Sequence, residues 1–329
     1  MVVEFLISLI VSILISGIVG LFLIPFLRKV KAGQSIREDG PVWHKDKEGT
    51  PTMGGIMFIV GIIVSTLTIG FPEILSGDFT GIFIVAFALI FALIGFLDDY
   101  EKLKKKQNLG LKAKQKFALQ VIVAVAFIFL MEHTDHISFD LYIPFVNTYI
   151  FIHPILYYIF AAFVITGTVN AVNLTDGTDG LSSGVTIPVC AFFTLMAFIW
   201  GEVAVGIVAA AVTGGLIAFL FFNFHPAKVF MGDTGSMFLG GMVCALAFAL
   251  DMPLILITIG FVYFVEALSV IMQVTYFKLT KGKRIFKMSP IHHHFEMSGW
   301  NEYKVFAVFT CVSILFAVLS YFGVMNRVY

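Results

Sequence analysis

The sequence is poor in charge. Only 13% of its 329 residues are Asp, Glu, Lys or Arg, while 59% are hydrophobic. A water-soluble domain of this length has no use for so much apolar surface, so that class is excluded. Cysteine is rarer still. Cys190, Cys244 and Cys311 are odd in number and each lies within an apolar run, which argues against a disulfide framework. The first apolar run, Val2 to Leu27, lacks a basic leading segment and a small-residue cleavage site, and reads as a retained span rather than a signal peptide. Around Lys47 to Gly55 there is no Gly-Lys-Ser/Thr ending, which rules out a P-loop. Internal repeats and low-complexity tracts are lacking, and nothing marks a second domain. Residues 1–329 read as a single integral membrane unit.

What is present is a succession of apolar runs. A hydrocarbon core of roughly 30 Å needs about 20 apolar residues, and backbone groups within it must find internal partners. Ten candidate spans follow: 2–27, 53–71, 81–97, 115–131, 154–172, 184–200, 203–222, 236–250, 253–277 and 304–325. The predicted fold class is an all-α polytopic membrane protein of about ten helices. Between 133 and 153, Ile137, Phe139, Leu141 and Ile143 alternate with other residues before Pro144, which predicts a short β-hairpin outside the membrane. Ten spans put both termini on one side. Arg28, Lys29, Lys31, Arg37, Lys45, Lys47, Lys102, Lys104, Lys105, Lys106, Lys112, Lys114, Lys228, Lys278, Lys281, Lys283, Arg284 and Lys287 then share the opposite face. Lys116 and Lys304 begin spans there, and only Arg327 falls on the other side. The positive-inside rule makes the loaded face cytoplasmic and leaves the termini extracytoplasmic. Glu73, Asp78, Glu132, Asp135, Asp140, Glu202 and Asp251 lie in the other turns.

Five polar interruptions occupy the loaded face. Asp98-Asp99 ends the third span. Adjacent helical residues point about 100° apart, so one carboxylate can meet a metal or phosphate while the other accepts a proton; the plainer reading is an acidic helix end beside lysines. Asn173 to Gly180 holds two Asp-Gly turns, with Asn173 and Asp176 projecting together if the helix continues one turn, a pairing suited to a sugar, a uracil edge or a metal-bound water. A solvated turn is the alternative. Asn223 to Ser236 sets Asp233 between Gly232 and Gly235 at a helix start, which resembles a phosphate or Mg²⁺ site and is also compatible with a simple N-cap. His292, His293 and His294 are consecutive, which fits poorly on one tetrahedral zinc; imidazoles there can bind diphosphate or adjust a proton. Lys47 and Thr52 can contact phosphate, or belong to a Pro/Gly loop entering a helix. Glu266 is the one acid deep in a span, either functional or hydrogen-bonded between helices. Lys102 to Lys106 reads most simply as a solvated or lipid-facing basic patch that also attracts anions.

Taken together, these strings resemble the phospho-N-acetylmuramoyl-pentapeptide-transferase family over essentially the whole chain, with Ser289 to Glu296 similar to the muramoyl-pentapeptide branch of a wider superfamily. The resemblance implies transfer of phospho-N-acetylmuramoyl-pentapeptide from its UDP carrier to undecaprenyl phosphate, giving lipid I and UMP for peptidoglycan synthesis. It implies Mg²⁺, a cytoplasmic cleft in a bacterial cytoplasmic membrane, and a homodimer; nothing calls for nucleic acid. On that basis Asp98, Asp99 and Asp233 are the expected catalytic residues. Asp233, Asp99 and Asp176 are the expected metal ligands. Lys47, Thr52, Asn173, Asp176, Asn223, His292, His293 and His294 are the expected substrate contacts. The competing readings are a related transferase using UDP-GlcNAc and, from another class, a proton-coupled secondary transporter, which calls for midplane ionisable groups and repeats.

Overall fold

The computed structural model describes residues 1–30, 32, 47, 49–105, 107, 110–134 and 137–327. Lys31, Arg37, Lys45 and Lys106 of the basic inventory, with Asp135 of the opposite turns, lie outside the described residues. The helices are α1 (Val2–Lys29), α2 (Gly55–Ile69), α3 (Phe71–Ser76), α4 (Thr80–Lys105), α5 (Ala113–His133), α6 (Pro154–Thr175), α7 (Leu181–Trp200), α8 (Val203–Asn223), α9 (Gly232–Ala249), α10 (Leu256–Ile259), α11 (Phe261–Leu279), α12 (Ile291–Glu296) and α13 (Glu302–Val324). Among the described residues nine helices are long and apolar enough to cross a membrane, and α2, with 15 residues, is a shorter apolar helix. The chain is thus a polytopic all-α membrane protein, each predicted span matched by one of these ten helices.

The bundle is built around α9. Every residue of it from Thr234 to Ala249 is buried. Its small residues admit close neighbours: the α-carbon of Gly240 faces Val169 of α6, and that of Gly241 faces Ala88 and Phe91 of α4. Small residues at such interfaces let helices approach closely in lipid, where apolar side chains gain little by leaving their surroundings. α1 uses a stripe at helical spacing, Ser8, Ser12, Ser16 and Gly20, all buried. Ser8 donates to the Ile207 carbonyl of α8 at 2.7 Å, and Ser65 of α2 donates to the Ser8 carbonyl at 2.8 Å. The outward faces are apolar and exposed, among them Leu21, Phe22, Phe163 and Ile271, a surface suited to lipid.

Three boundaries differ from the expected ones. α4 runs about two turns beyond residue 97, because the carboxylates of Asp98 and Asp99 are satisfied within the protein and the helix has no need to stop there. α9 begins at Gly232 rather than at 236, with Asp233 in its first turn, at the helix start where the sequence set it. The expected 253–277 span is broken: a 3₁₀ turn at Pro253–Ile255 and the short α10 precede Gly260, and only then does α11 begin.

The predicted hairpin is present. β1 (Asp140–Ile143) pairs antiparallel with β2 (Thr148–Phe151), Asp140 opposite Phe151 and Ile143 opposite Thr148. Arg327 ties it to the end of α9. Its guanidinium donates to the Leu250 carbonyl at 2.6 Å and to the Tyr149 hydroxyl at 2.9 Å, lies 4.7 Å from the Tyr142 ring centre, and stands 3.6 Å from Asp251. Burial pushes the Asp251 carboxyl up to about 7, even though Arg327 opposes the shift. Removing the guanidinium strands that carboxyl and a backbone carbonyl. Arg327→Ala is expected to cost ~3 kcal/mol of stability, read as a lower melting midpoint in detergent. Turnover per folded molecule should be unchanged, since this cluster is a helix length, about 27 Å, from Asp233.

Candidate active site

The polar segments meet at the other end of α9, in two nodes joined by a turn. In the first, α4 presents Asp98 and Asp99 to the start of α9. Asp99 caps that helix: its Oδ1 accepts from the Asp233 N–H at 3.1 Å, and its Oδ2 accepts from the Thr234 N–H at 2.9 Å and the Thr234 hydroxyl at 2.7 Å. These are donors a helix start leaves free, and an anion is favoured there. Asp98 accepts from the Leu111 N–H at 2.8 Å and pairs with Lys102 at 2.6 Å. Asp233 is the most connected of the three. Its Oδ2 accepts from Lys116 at 2.7 Å and Lys102 at 3.0 Å, and its Oδ1 accepts from the Asn173 amide at 2.9 Å. That amide also donates to Ser236 Oγ at 2.7 Å. Asp98, Asp99 and Asp233 each bring an oxygen within 4.8 Å of the others. Three carboxylates facing two ammonium groups leave an excess of negative charge. The donor set is all hard oxygen, the chemistry that suits Mg²⁺ rather than a soft metal.

The second node surrounds Asp179. Lys47 donates to Asp179 at 2.8 Å and to Glu302, at the start of α13, at 2.7 Å. His225 Nδ1 lies 2.9 Å from the other Asp179 oxygen, which also accepts from the Ala227 N–H at 3.0 Å. Burial alone would lower the Lys47 ammonium, but Asp179 and Glu302 outweigh it and hold its pKa above the ordinary value. Asn223 spends its whole amide internally, accepting from the Gly180 N–H at 3.0 Å and donating to the Val229 carbonyl at 2.9 Å.

Asp176 lies between the nodes. α6 runs on to Thr175, so Asp176 is its capping position, with its N–H donating to the Asn173 carbonyl. Burial, then the charges of Asp233, Asp99 and Asp179 in that order, push its carboxyl up to about 8. The next residue, Gly177, rests on His292.

Most of the expected residues therefore converge, and several of them also have partners within the protein. Thr52 is buried at the corner where Gly232 meets Asp99. The three histidines separate: His292 is fully buried and 3.0 Å from Glu266, His293 pairs with Glu296 at 2.6 Å, and His294 accepts from the Lys287 N–H at 3.1 Å. Lys102, read from sequence as a surface cation, is inside the acid cluster; its i,i+4 spacing from Asp98 was the available signal. Lys116, Asp179, His225 and Glu302 carried no such signal, because their partners are distant in sequence.

Such a bundle, with an acid cluster at one end, defines a polytopic membrane protein whose polar site could hold a divalent cation. Residues 81–251 match the family described as glycosyl transferase family 4, a stretch that contains Asp98, Asp99, Asn173, Asp176, Asn223 and Asp233. Residues 47–59, which contain Lys47 and Thr52, match phospho-N-acetylmuramoyl-pentapeptide-transferase signature 1. The phospho-N-acetylmuramoyl-pentapeptide-transferase of Clostridium acetobutylicum is 45% identical over 320 residues, covering 97% of this chain and 98% of its own. The enzymes of that name from Staphylococcus epidermidis and Staphylococcus carnosus are 48% and 46% identical, each covering 94% of this chain and 96% of its own. The chain belongs to the phospho-N-acetylmuramoyl-pentapeptide-transferase family.

Proposed function

We propose that this protein transfers phospho-N-acetylmuramoyl-pentapeptide from UDP-N-acetylmuramoyl-pentapeptide to undecaprenyl phosphate, releasing UMP and forming lipid I. The observation that carries the reading is the acid cluster of Asp98, Asp99 and Asp233 with Lys102 and Lys116 at one end of an apolar bundle, in a chain of this family. One substrate is soluble and the other is lipid-bound, so the cluster belongs at a membrane face. The basic loops of the same end support the cytoplasmic face, ten spans and extracytoplasmic termini in a bacterial cytoplasmic membrane, and the family resemblance implies a homodimer.

In the proposed reaction an oxygen of the lipid phosphate attacks the β-phosphorus of the nucleotide. The bond from that phosphorus to the bridging oxygen breaks, and UMP leaves with the electron pair. The chain's work is positioning and charge neutralisation. Asp98 orients the lipid phosphate and takes any proton it carries. Lys102 and Lys116 turn from Asp233 to phosphate oxygens, and Lys47 steadies the nucleotide diphosphate beside them. Asn173 holds Asp233 in place, Asn223 holds the two loops, and His293 lies nearer solvent than His292. Asp233 and Asp98 fit as ligands of Mg²⁺, with Asp176 joining them; Asp99, committed to the start of α9, orients Asp233. When bound, the ion supplies neutralisation of the developing phosphate charge.

Asp176 gives this reading a proton-linked signature. A carboxyl raised to about 8 is protonated at pH 7, whereas its ordinary value is near 3.9. Recruiting it to a cation expels the proton. Divalent-cation affinity should therefore rise with pH, level off above about 8, and release protons at pH 7. Calorimetry in two buffers of different ionisation heat measures that release, which Asp176→Asn should abolish.

The functional test is UMP release by purified protein given both substrates, with and without Mg²⁺, followed by analysis of the lipid product. Lipid I formed only with the metal supports the proposal. No UMP, or a product formed only from UDP-GlcNAc, overturns it.

A further inference from the structure

Glu266 is an acid within α11, and neither it nor His292 of α12 has any exposed surface. Its Oε2 lies 3.0 Å from His292 Nδ1. Two atoms of this pair, Glu266 Oε1 and His292 Nε2, have no hydrogen-bond partner among the described residues. The ring's far edge meets the turn between the two polar nodes: a Cβ built on Gly177 would fall 2.2 Å from His292 Nε2 and 2.6 Å from its Cε1. That direction is occupied in glycine by an α-hydrogen, so a C–H bond of Gly177 points at Nε2. A lone pair on Nε2 accepts such a contact, whereas an N–H there would set hydrogen against hydrogen.

We infer that Glu266 is a positioning residue for the transfer: its carboxylate accepts the Nδ1–H of His292, fixes the tautomer with a bare Nε2, and so seats the ring edge on which the Asp176-Gly177 turn rests. The inference rests on the transferase reading. A neutral imidazole carries one N–H, and the hydrogen bond made by one nitrogen decides the state of the other. Gly177 is the one residue type that lets the turn lie this close. Glu266 reaches the reaction only through the ring and the turn that carries Asp176 and Asp179, and touches no reacting atom.

The test uses the full-length purified protein. In ¹⁵N spectra of histidine-labelled protein, with His292 assigned by its loss in His292→Asn, the wild type should show Nδ1 protonated and Nε2 bare. Glu266→Gln retains an acceptor oxygen and should keep both that pattern and most of the turnover. Glu266→Met, of similar bulk with no acceptor, should lose the pattern and about 10- to 100-fold in kcat, with the KM for nucleotide much less affected. Because Glu266 acts through His292, the double variant Glu266→Met/His292→Asn should be no slower than His292→Asn alone, within about twofold. Multiplying defects, a Met variant at the wild-type rate, or a wild-type His292 protonated at Nε2 would each overturn the inference. The last requires no variant to fold. Wild-type protein that releases no UMP would instead overturn the transferase reading, leaving the tautomer signal as its own result.

Discussion

Asp233→Asn is expected to lower the rate of UMP release by about 10³-fold while the protein still folds. The change is nearly isosteric, and the rest of α9 is untouched. Its effect comes from what each oxygen meets. Oδ2 accepts from two ammonium groups and Oδ1 from the Asn173 amide. An asparagine amide has one NH₂, and either orientation points it at a donor. It also removes the charge that gathers Lys102 and Lys116. Rate measurement on purified protein whose melting midpoint stays within a few degrees of wild type checks this; near-wild-type turnover would remove Asp233 from the reaction.

Gly95→Ala should be nearly as damaging, although Gly95 carries no chemistry. It lies on α4 where α9 begins, and a Cβ there would fall 2.1 Å from the Asp233 carbonyl oxygen, 2.4 Å from its carbon and 2.7 Å from the Thr234 nitrogen. All three are backbone atoms, which cannot swing aside as a side chain can. The two helices must part, and the bonds from Asp99 to the start of α9 part with them. A shift of about 1 Å at reacting groups can cost about 10²-fold in rate, and the overpacking adds roughly 1–3 kcal/mol of destabilisation. Gly17→Ala is the control: nothing lies within 4 Å of the added methyl, and both melting and turnover should stay near wild type.

Much of the architecture was legible because lipid imposes a simple rule on sequence: a long apolar run becomes a helix. The ten runs and the hairpin alternation at Ile137 to Ile143 were visible for that reason. The acid and amide segments were legible as interruptions that lipid would not tolerate without purpose. What sequence did not carry was pairing. Nothing local says that Asn223 turns its amide inward to bind two loops, or that Lys47 lies between Asp179 and Glu302, residues 132 and 255 positions away. The partners of the histidine triplet were hidden in the same way: on the short helix α12 the three imidazoles point to separate groups, and Glu266 claims one of them from within a span. Asp99, which the resemblance places at a metal, has a second engagement that the sequence did not show: both its oxygens accept from the start of α9 while it stays within the group of three carboxylates.

The two lysines at Asp233 have a consequence for how ligands come and go. Before substrate arrives, Lys102 and Lys116 already balance part of the charge of the carboxylates. In the proposed reaction an entering diphosphate would compete with those carboxylates for the same ammonium groups, and each ion pair formed with it would be offset by one given up. Such an exchange favours moderate affinity over tight capture. It also means that a departing UMP leaves behind partners ready to close up again, so turnover need not wait on a reluctant product.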